Sequence, residues 1–238
     1  MFAIAICALN TSVDAETPEL ARDLACAAYD ARLKLSQPPP SIVLRTNDAA
    51  QARAVGAAIR SRGHDVVAID ESKVPEATAV RALRFGDAFE IGNDAIAYAD
   101  VVALVRAARA LKTETIERVT ERKLRPGAAL ATGGLVMSKK VTREEKHVAH
   151  DREELLYVFT RAERPRAPLL VAERSASYAA LDSVASSQRE NFLRVVQALR
   201  ARAPRAKFDE RLLLQKNLDS LDEITLRAQI LAISLSRT

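Results

Sequence analysis

Residues 41–70 read SIVLRTNDAAQARAVGAAIRSRGHDVVAID, and this stretch decides the fold class of the first part of the chain. Its first six residues predict a short strand. Asp48, with Gln51 three residues later, predicts the start of a helix, and Gly63 predicts the end of that helix. The final run, DVVAID, predicts another strand, so the pattern is strand, helix, strand.

The residues before this stretch continue the same alternation. Phe2 to Leu9 form an apolar run that is typical of a buried strand. Thr17 as N-cap and Pro18 at the first helical position predict a helix that reaches Leu35 and ends before the prolines at 38–40. The order β-α-β-α-β favours a small open sheet with mostly parallel neighbours, in either a half-Rossmann or a ferredoxin-like arrangement.

After Pro75 the pattern changes to short strands separated by turn residues. The predicted strands cover residues 80–85, 88–91, 95–98 and 101–107, followed by 155–161 and 169–173. A capping box formed by Ser187 and Glu190 then predicts an amphipathic helix that ends at Pro204. This order indicates an antiparallel, β-rich module with a closing helix.

That element order resembles the bacterial pleckstrin-homology-like barrel over residues 79–202. Residues 43–47 and 63–67, which flank an alanine-rich helix, also resemble a unit of small bacterial signal-transduction modules. We therefore predict an α+β fold in three parts. They are an α/β module at 1–75, a β-rich module at 76–204 and an amphipathic helical tail at 205–238.

The tail is predicted to be a helix from Asp209 to Thr238 with an apolar face too broad to remain uncovered. One interpretation is docking onto its own domain, and the other is pairing with a second copy or a partner helix. The residues expected to make such a contact are Leu218, Leu221, Ile224, Leu231 and Leu235.

Positive charge is concentrated in the middle of the chain. Residues 106–166 carry 15 basic and 9 acidic side chains, whereas residues 1–105 carry 10 and 14. An anionic partner is therefore expected there, although a solvated basic loop that maintains solubility is an equal alternative. Interleaved glutamates and the lack of aromatic residues between positions 112 and 146 make a nucleic acid an alternative partner rather than the favoured one. The candidate anion- or partner-binding residues are Arg118, Arg122, Lys123, Arg125, Lys139 and Lys140.

The motifs of common catalytic sites are missing from the positions where they would work. The turn at 10–14 contains no glycine, which argues against dinucleotide binding, and the chain has neither a P-loop nor a G-x-S-x-G turn. His147 and His150 on one helix face would give two metal ligands where a closed site needs more. We therefore expect no metal and no cofactor. An enzyme site, as an alternative, would lie near Asp14, Asn47 and Asp70, where strands end.

The two cysteines, Cys7 and Cys26, are too few for a zinc site and are expected to be buried thiols in a reducing cytoplasm. No apolar run is long enough to span a membrane. The resulting prediction is a cytoplasmic, non-catalytic protein-binding or signalling adaptor that associates with a protein partner or with a second copy. Nucleic-acid binding through residues 112–146 and an enzyme with a site at the carboxyl edge of the N-terminal sheet remain the alternatives.

Overall fold

The structure, a computed structural model, describes residues 1–92, 94–124, 138–161, 167–179, 181, 183–216 and 218–237. For residues 112–124 and 138–150 it describes the backbone. The predicted α+β class is confirmed. The chain forms two compact units, one of Met1–Arg109 with Glu153–Thr238 and one of Ala110–Arg152. The predicted boundaries near residues 75 and 204 stay predictions.

The first sheet contains β1 (Phe2–Ala8), β2 (Ser41–Thr46) and β3 (Asp65–Asp70) in the order β2-β1-β3. Both pairings are antiparallel, so the prediction of parallel neighbours was wrong, and the half-Rossmann alternative is excluded. The strand pattern defines which residues are extended but leaves open which strands become neighbours. Because β1 lies between two strands that run parallel to each other, the arrangement is the split β-α-β unit of ferredoxin-like folds.

Two helices, rather than the single predicted one, follow β1. Helix α1 (Val13–Asp23) begins after Ser12, whose hydroxyl accepts the Ala15 N–H at 3.2 Å, so the predicted cap Thr17 lies inside the helix. Helix α2 (Ala28–Leu35) begins after a break in which Ala25 adopts a φ of 49°. An L-residue in that region interrupts helical geometry.

Helix α3 (Ala49–Ser61) has the predicted boundaries. The Asp48 carboxylate accepts the N–H groups of Ala50 and Gln51 at 2.7 and 3.2 Å, and Gly63 follows the helix with a φ of 85°. Helices α1 to α3 cover one face of the first sheet. Their shared core contains Ile4, Ile6, Leu20, Val55 and Ile59.

A second, five-stranded sheet has the order β11-β8-β9-β10-β4 and is open, like the other sheets described. Its strands are β4 (Thr78–Ala79), β8 (Val101–Leu124), β9 (Ser138–Thr160), β10 (Leu169–Ala172) and β11 (Lys207–Leu212). The predicted strands at 80–85, 88–91 and 95–98 correspond to a small antiparallel third sheet of β5 (Arg84–Phe85), β6 (Phe89–Ile91) and β7 (Asp94–Ile96). The strand predicted next to them at 101–107 instead begins β8 of the five-stranded sheet. Helix α4 (Gln188–Arg202) begins at the predicted cap, Ser187.

Strand β9 is buried on both faces where it crosses the five-stranded sheet. Leu155 and Tyr157 belong to one core, which they share with the first sheet. Leu156 and Val158 belong to another, which contains Phe192 and other apolar residues of α4. This sheet therefore has a helical layer on each side. Because both faces of the sheet are covered, successive residues of its central strands are apolar although they point to opposite faces.

The C-terminal helix, α5 (Leu221–Arg237), packs between the first sheet and the five-stranded sheet. The helix has a broad apolar surface because it contacts one sheet on each side. The interpretation that it docks onto its own domain is confirmed. The helix prediction from Asp209 was wrong at its start, because Lys207–Leu212 pairs in parallel with β8 as a strand. The buried apolar residues of α5 are Ile224, Leu226, Ala228, Ile230, Leu231 and Ala232. Among the described helices, none is long and apolar enough to cross a membrane.

Removing a buried side chain from α5 should weaken both sheets at once. We expect Leu231→Ala to lower the free energy of unfolding by about 2–5 kcal/mol, because Leu231 is fully buried. Leu214→Ala serves as the matched control, since Leu214 is 65% exposed, and it should change stability by less than about 0.5 kcal/mol. Urea denaturation followed by circular dichroism measures both values. Equal effects of the two substitutions would contradict the central position of α5.

Candidate functional site

A chain of ion pairs lies where α5 begins. Glu223, in the first turn of α5, accepts the Arg227 Nε–H at 2.7 Å and is also hydrogen bonded to Arg45 of β2. Arg45 Nε in turn donates to Glu71 at 2.8 Å. Burial lowers the pKa of Arg45, but its hydrogen bonds to Glu71 and Glu223 outweigh burial and raise it overall. We call Arg227, Glu223, Arg45 and Glu71 the ion-pair chain.

One cavity beside the ion-pair chain is acidic. It has a volume of about 350 Å³, and its charged lining residues are Glu71, Glu76, Asp222 and Glu223. Two of these carboxylates already bind arginines of the ion-pair chain. Asp222 and Glu223 also occupy the first turn of α5, where negative charge stabilises a helix. In the described part of the chain, no group of three or more His, Cys, Asp or Glu residues is arranged to hold a metal ion.

A second cavity, which we call the basic cavity, has no acidic side chain among its described lining residues. Its volume is about 490 Å³, and it is lined by Gln37, Pro38, Leu214, Gln215, Lys216, Leu218 and Arg227. It therefore combines cationic, amide and apolar groups. This mixture is typical of small-ligand pockets, which join an apolar lining to a few fixed polar groups.

A third cavity, of about 410 Å³, lies along the edge strand β2 and contains Cys26 among its lining residues. The expectation of two buried thiols holds for Cys7, which is fully buried, whereas Cys26 is only partly buried. Burial raises the pKa of Cys7 to about 12. The Cys7 thiol is therefore protonated at neutral pH and is a structural group.

A buried polar cluster joins α1 to the turn before β3. Glu16, only 2% exposed, accepts hydrogen bonds from Arg62 Nη2 at 2.6 Å and from His64 Nε2 at 2.7 Å. His64 Nδ1 accepts the backbone N–H of Asn10 at 2.9 Å, so the ring proton lies on Nε2. Asp23 completes the set by accepting from Arg62 Nη2 at 2.7 Å. These groups satisfy one another, which is typical of a structural cluster.

The sequence does not indicate this cluster, because its members are distant in the chain. Glu16 and His64 are separated by 48 positions, and no spacing rule connects them. The only local signal is the helix-ending Gly63, whose turn places Arg62 and His64 on either side of it.

The carboxylates of the alternative enzyme site do not come together. Phe2 pairs with both Thr46 and Asp70, so Asn47 and Asp70 lie at the edge of the sheet where β1 begins. Asp14 follows the opposite end of β1, and its carboxylate contacts Arg32 at 3.1 Å. This separation follows from the antiparallel pairing, since the carboxyl ends of neighbouring strands then lie at opposite edges.

Five of the six predicted basic residues lie in strands rather than in a loop. Arg118, Arg122 and Lys123 belong to β8, and Lys139 and Lys140 belong to β9. Their side chains, and Arg125 altogether, fall outside the described residues.

The histidine pair is also in a strand. His147 and His150 lie in β9, so the helix face on which they were expected does not exist, and their side chains are outside the described part.

The predicted partner residues of the tail are placed in the interior. Ile224 and Leu231 are fully buried in the core between the two sheets, and Leu218, Leu221 and Leu235 pack against that core while partly buried. A partner would reach these side chains only if α5 left its core. Pairing through this helix stays a prediction, but the uncovered face on which it depends is not present.

The buried cluster around Glu16 predicts a specific pH dependence. Although burial raises the pKa of Glu16, hydrogen bonds from Arg62 and His64 hold it below its ordinary value of 4.5. A lowered folded-state pKa contributes stability above about pH 4.5, and that contribution is lost as the pH falls through the folded value. We expect Glu16→Gln to cost about 1.5–3 kcal/mol at neutral pH and less in acid, as measured by urea denaturation at several pH values.

Glu19→Gln on the same helix is the control for that measurement. Glu19 forms an exposed i,i+3 pair with Arg22, and its substitution should cost less than about 1 kcal/mol. If Glu16→Gln is no more destabilising than Glu19→Gln at neutral pH, the cluster does not stabilise the fold.

Comparison with known proteins identified no relative of this chain. No protein-family model, curated protein or solved structure matches the chain. The resemblance of residues 79–202 to a pleckstrin-homology-like barrel therefore stays a proposal based on element order. The function has to be inferred from the residues and contacts of this chain alone.

Proposed function

We propose that this protein is a non-catalytic protein-binding protein whose partner contacts the ribbon, which we define as Ala110–Leu124 of β8 and Ser138–Arg152 of β9. The observation that carries this proposal is strand length. Strands β8 and β9 have 24 and 23 residues, whereas their sheet neighbours β11 and β10 have 6 and 4.

The short neighbours pair with only one end of each long strand. Strand β11 pairs with residues of β8 from Ala103 to Ala107, and β10 pairs with residues of β9 from Leu155 to Val158. In the described part of the chain, the ribbon strands thus have only each other as neighbours. A two-stranded ribbon is marginally stable in water and has open edges, which an extended segment of a partner can complete.

Charge supports a partner surface on the ribbon. The unit Ala110–Arg152 carries 10 basic and 6 acidic side chains, so it holds +4 of the net charge of +5. Charges of both signs on a strand edge oppose nonspecific aggregation, and the basic excess favours an acidic partner surface. In the ion-pair chain and in the cluster around Glu16, the charged side chains bind one another. Such mutual pairing supports binding rather than catalysis as the role of this protein.

Site-specific photo-cross-linking in cells tests this proposal. We expect a photoreactive residue at Thr120 of the ribbon to give a discrete protein adduct, identified by mass spectrometry. The matched position is Ala57, which is exposed on α3, and it should give no such adduct. An adduct with the mass of two chains would identify a second copy as the partner.

Charge-reversal variants test whether the cross-linked adduct depends on the basic residues of the ribbon. Arg122→Glu with Lys123→Glu should remove the Thr120 adduct, whereas Lys73→Glu with Arg84→Glu, at exposed positions of the other unit, should leave it unchanged. Identical adducts from Thr120 and Ala57, or an adduct indifferent to the ribbon charges, would refute a partner site on the ribbon.

Nucleic acid is the second candidate partner, and the charge of +4 on Ala110–Arg152 favours it. A two-stranded β-ribbon fits the major groove of B-form DNA, and lysines and arginines supply phosphate contacts.

Fluorescence anisotropy with a short DNA duplex tests this second candidate. The logarithm of the affinity should fall with the logarithm of the salt concentration, with a slope of about −0.9 per phosphate contacted. Arg122→Glu with Lys123→Glu should reduce that slope. Absence of binding at low ionic strength would eliminate this candidate.

A further inference from the structure

The basic cavity lies between the residues that follow helix α2 and those that connect strand β11 to helix α5. Gln37 and Pro38 belong to the first segment, and Leu214, Gln215, Lys216 and Leu218 belong to the second. The volume of about 490 Å³ falls within the range of small-ligand pockets. The described lining residues of the cavity all belong to the unit of Met1–Arg109 with Glu153–Thr238.

The polar end of the basic cavity is fixed in position. Arg227 Nη1 donates to the Pro40 carbonyl at 2.9 Å and to Gln215 Oε1 at 3.0 Å, and Arg227 Nε donates to Glu223. Gln215 Nε2 is held by the Pro38 carbonyl at 2.8 Å. Among the described residues, Arg227 Nη2 has no hydrogen-bond partner, so its two N–H groups are available to a ligand at no cost in ordering the side chain.

The charge of the cavity selects a monoanion. Within the ion-pair chain, Arg45 and Arg227 are balanced by Glu71 and Glu223. Lys216 adds one further positive charge to the lining, without an ion-pair partner among the described residues. A single negative charge on the ligand would therefore neutralise the site.

The remaining lining is apolar and partly open to water. Leu214 is 65% exposed, and Leu218 and Pro38 lie in the same lining. Covering an exposed leucine is favourable because it removes apolar surface from water. The ligand must therefore present an apolar body beside its charged group.

We propose that the basic cavity binds a carboxylate attached to an apolar chain. The carboxylate accepts hydrogen bonds from Arg227 Nη2 and the Lys216 ammonium, and the chain covers Leu214 and Leu218. A carboxylate carries the single negative charge that the site can neutralise, and it forms charge-assisted hydrogen bonds with a guanidinium. This chemistry occurs both in free aliphatic acids and at the C-terminus of a peptide that ends in apolar residues.

Isothermal titration calorimetry on the full chain distinguishes these two sources. The probes are octanoate, its uncharged and cationic analogues octanol and octylamine, a peptide ending in two leucines with a free carboxylate, and the same peptide with an amidated end. We expect binding by octanoate if the ligand is a free acid, and binding by the free-carboxylate peptide alone if it is a chain terminus. Binding of octanol or octylamine with the affinity of octanoate, or binding of none of the probes, would overturn the proposal.

Paired variants locate the binding in the cavity. We expect Leu214→Ala and Lys216→Gln each to weaken binding about tenfold, as loss of one apolar or charged contact implies. The matched controls are Leu33→Ala, at a leucine that is 50% exposed on α2, and Lys207→Gln, at an exposed lysine of β11. All four side chains are at the surface, so folding should be preserved. If the controls weaken binding as much as the cavity variants, the ligand binds elsewhere and the proposed site is wrong.

Discussion

The burial of helix α5 between two sheets is the contact on which the rest of the larger unit depends. One face of the first sheet and one face of the five-stranded sheet are both apolar, and α5 supplies the side chains that cover them. Inside this core the hydroxyl groups of Tyr157 and Thr225 are hydrogen bonded at 3.1 Å, and Ser234 is hydrogen bonded to Asp65. The two sheets therefore hold the helix through polar as well as apolar contacts.

The same helix also organises the polar surface. Its first turn carries Glu223, which connects Arg45 on β2 to Arg227 one turn further along α5. The acidic cavity and the basic cavity both include residues of this turn or its neighbours, and they differ in charge because they lie beside different members of the ion-pair chain. A structural helix thus places the groups that make the two cavities chemically distinct.

Most local features of the fold could be predicted from the sequence, although the cap at Thr17 and the single helix after β1 were wrong, and long-range features could not. The caps at Asp48 and Ser187 and the turn at Gly63 were predicted correctly, because a cap or a glycine turn depends on residues a few positions apart. Strand order in the first sheet depends on contacts between distant segments, and the pattern left it open. The strand Lys207–Leu212 was missed for the same reason, since only its pairing with β8 makes it a strand.

The candidate site was beyond prediction for a related reason. The basic cavity combines Pro38 with Leu214 and Arg227, and no motif spacing joins residues so far apart. The sequence did identify the basic middle segment, whose charge is a local property, but it could not show that the described part of this segment contains two long strands.

The position of α5 also has a consequence for how the chain folds during synthesis. Strand β1 is translated before the other described elements, yet the side chains that cover its inner face belong to the last described helix. The nascent chain therefore passes through an intermediate in which the first sheet has an uncovered apolar face until α5 has been translated. Contacts between segments so distant in the sequence give the fold a high contact order, which slows folding. Such an intermediate exposes strand edges and apolar surface, so its yield in the cell should depend on chaperones.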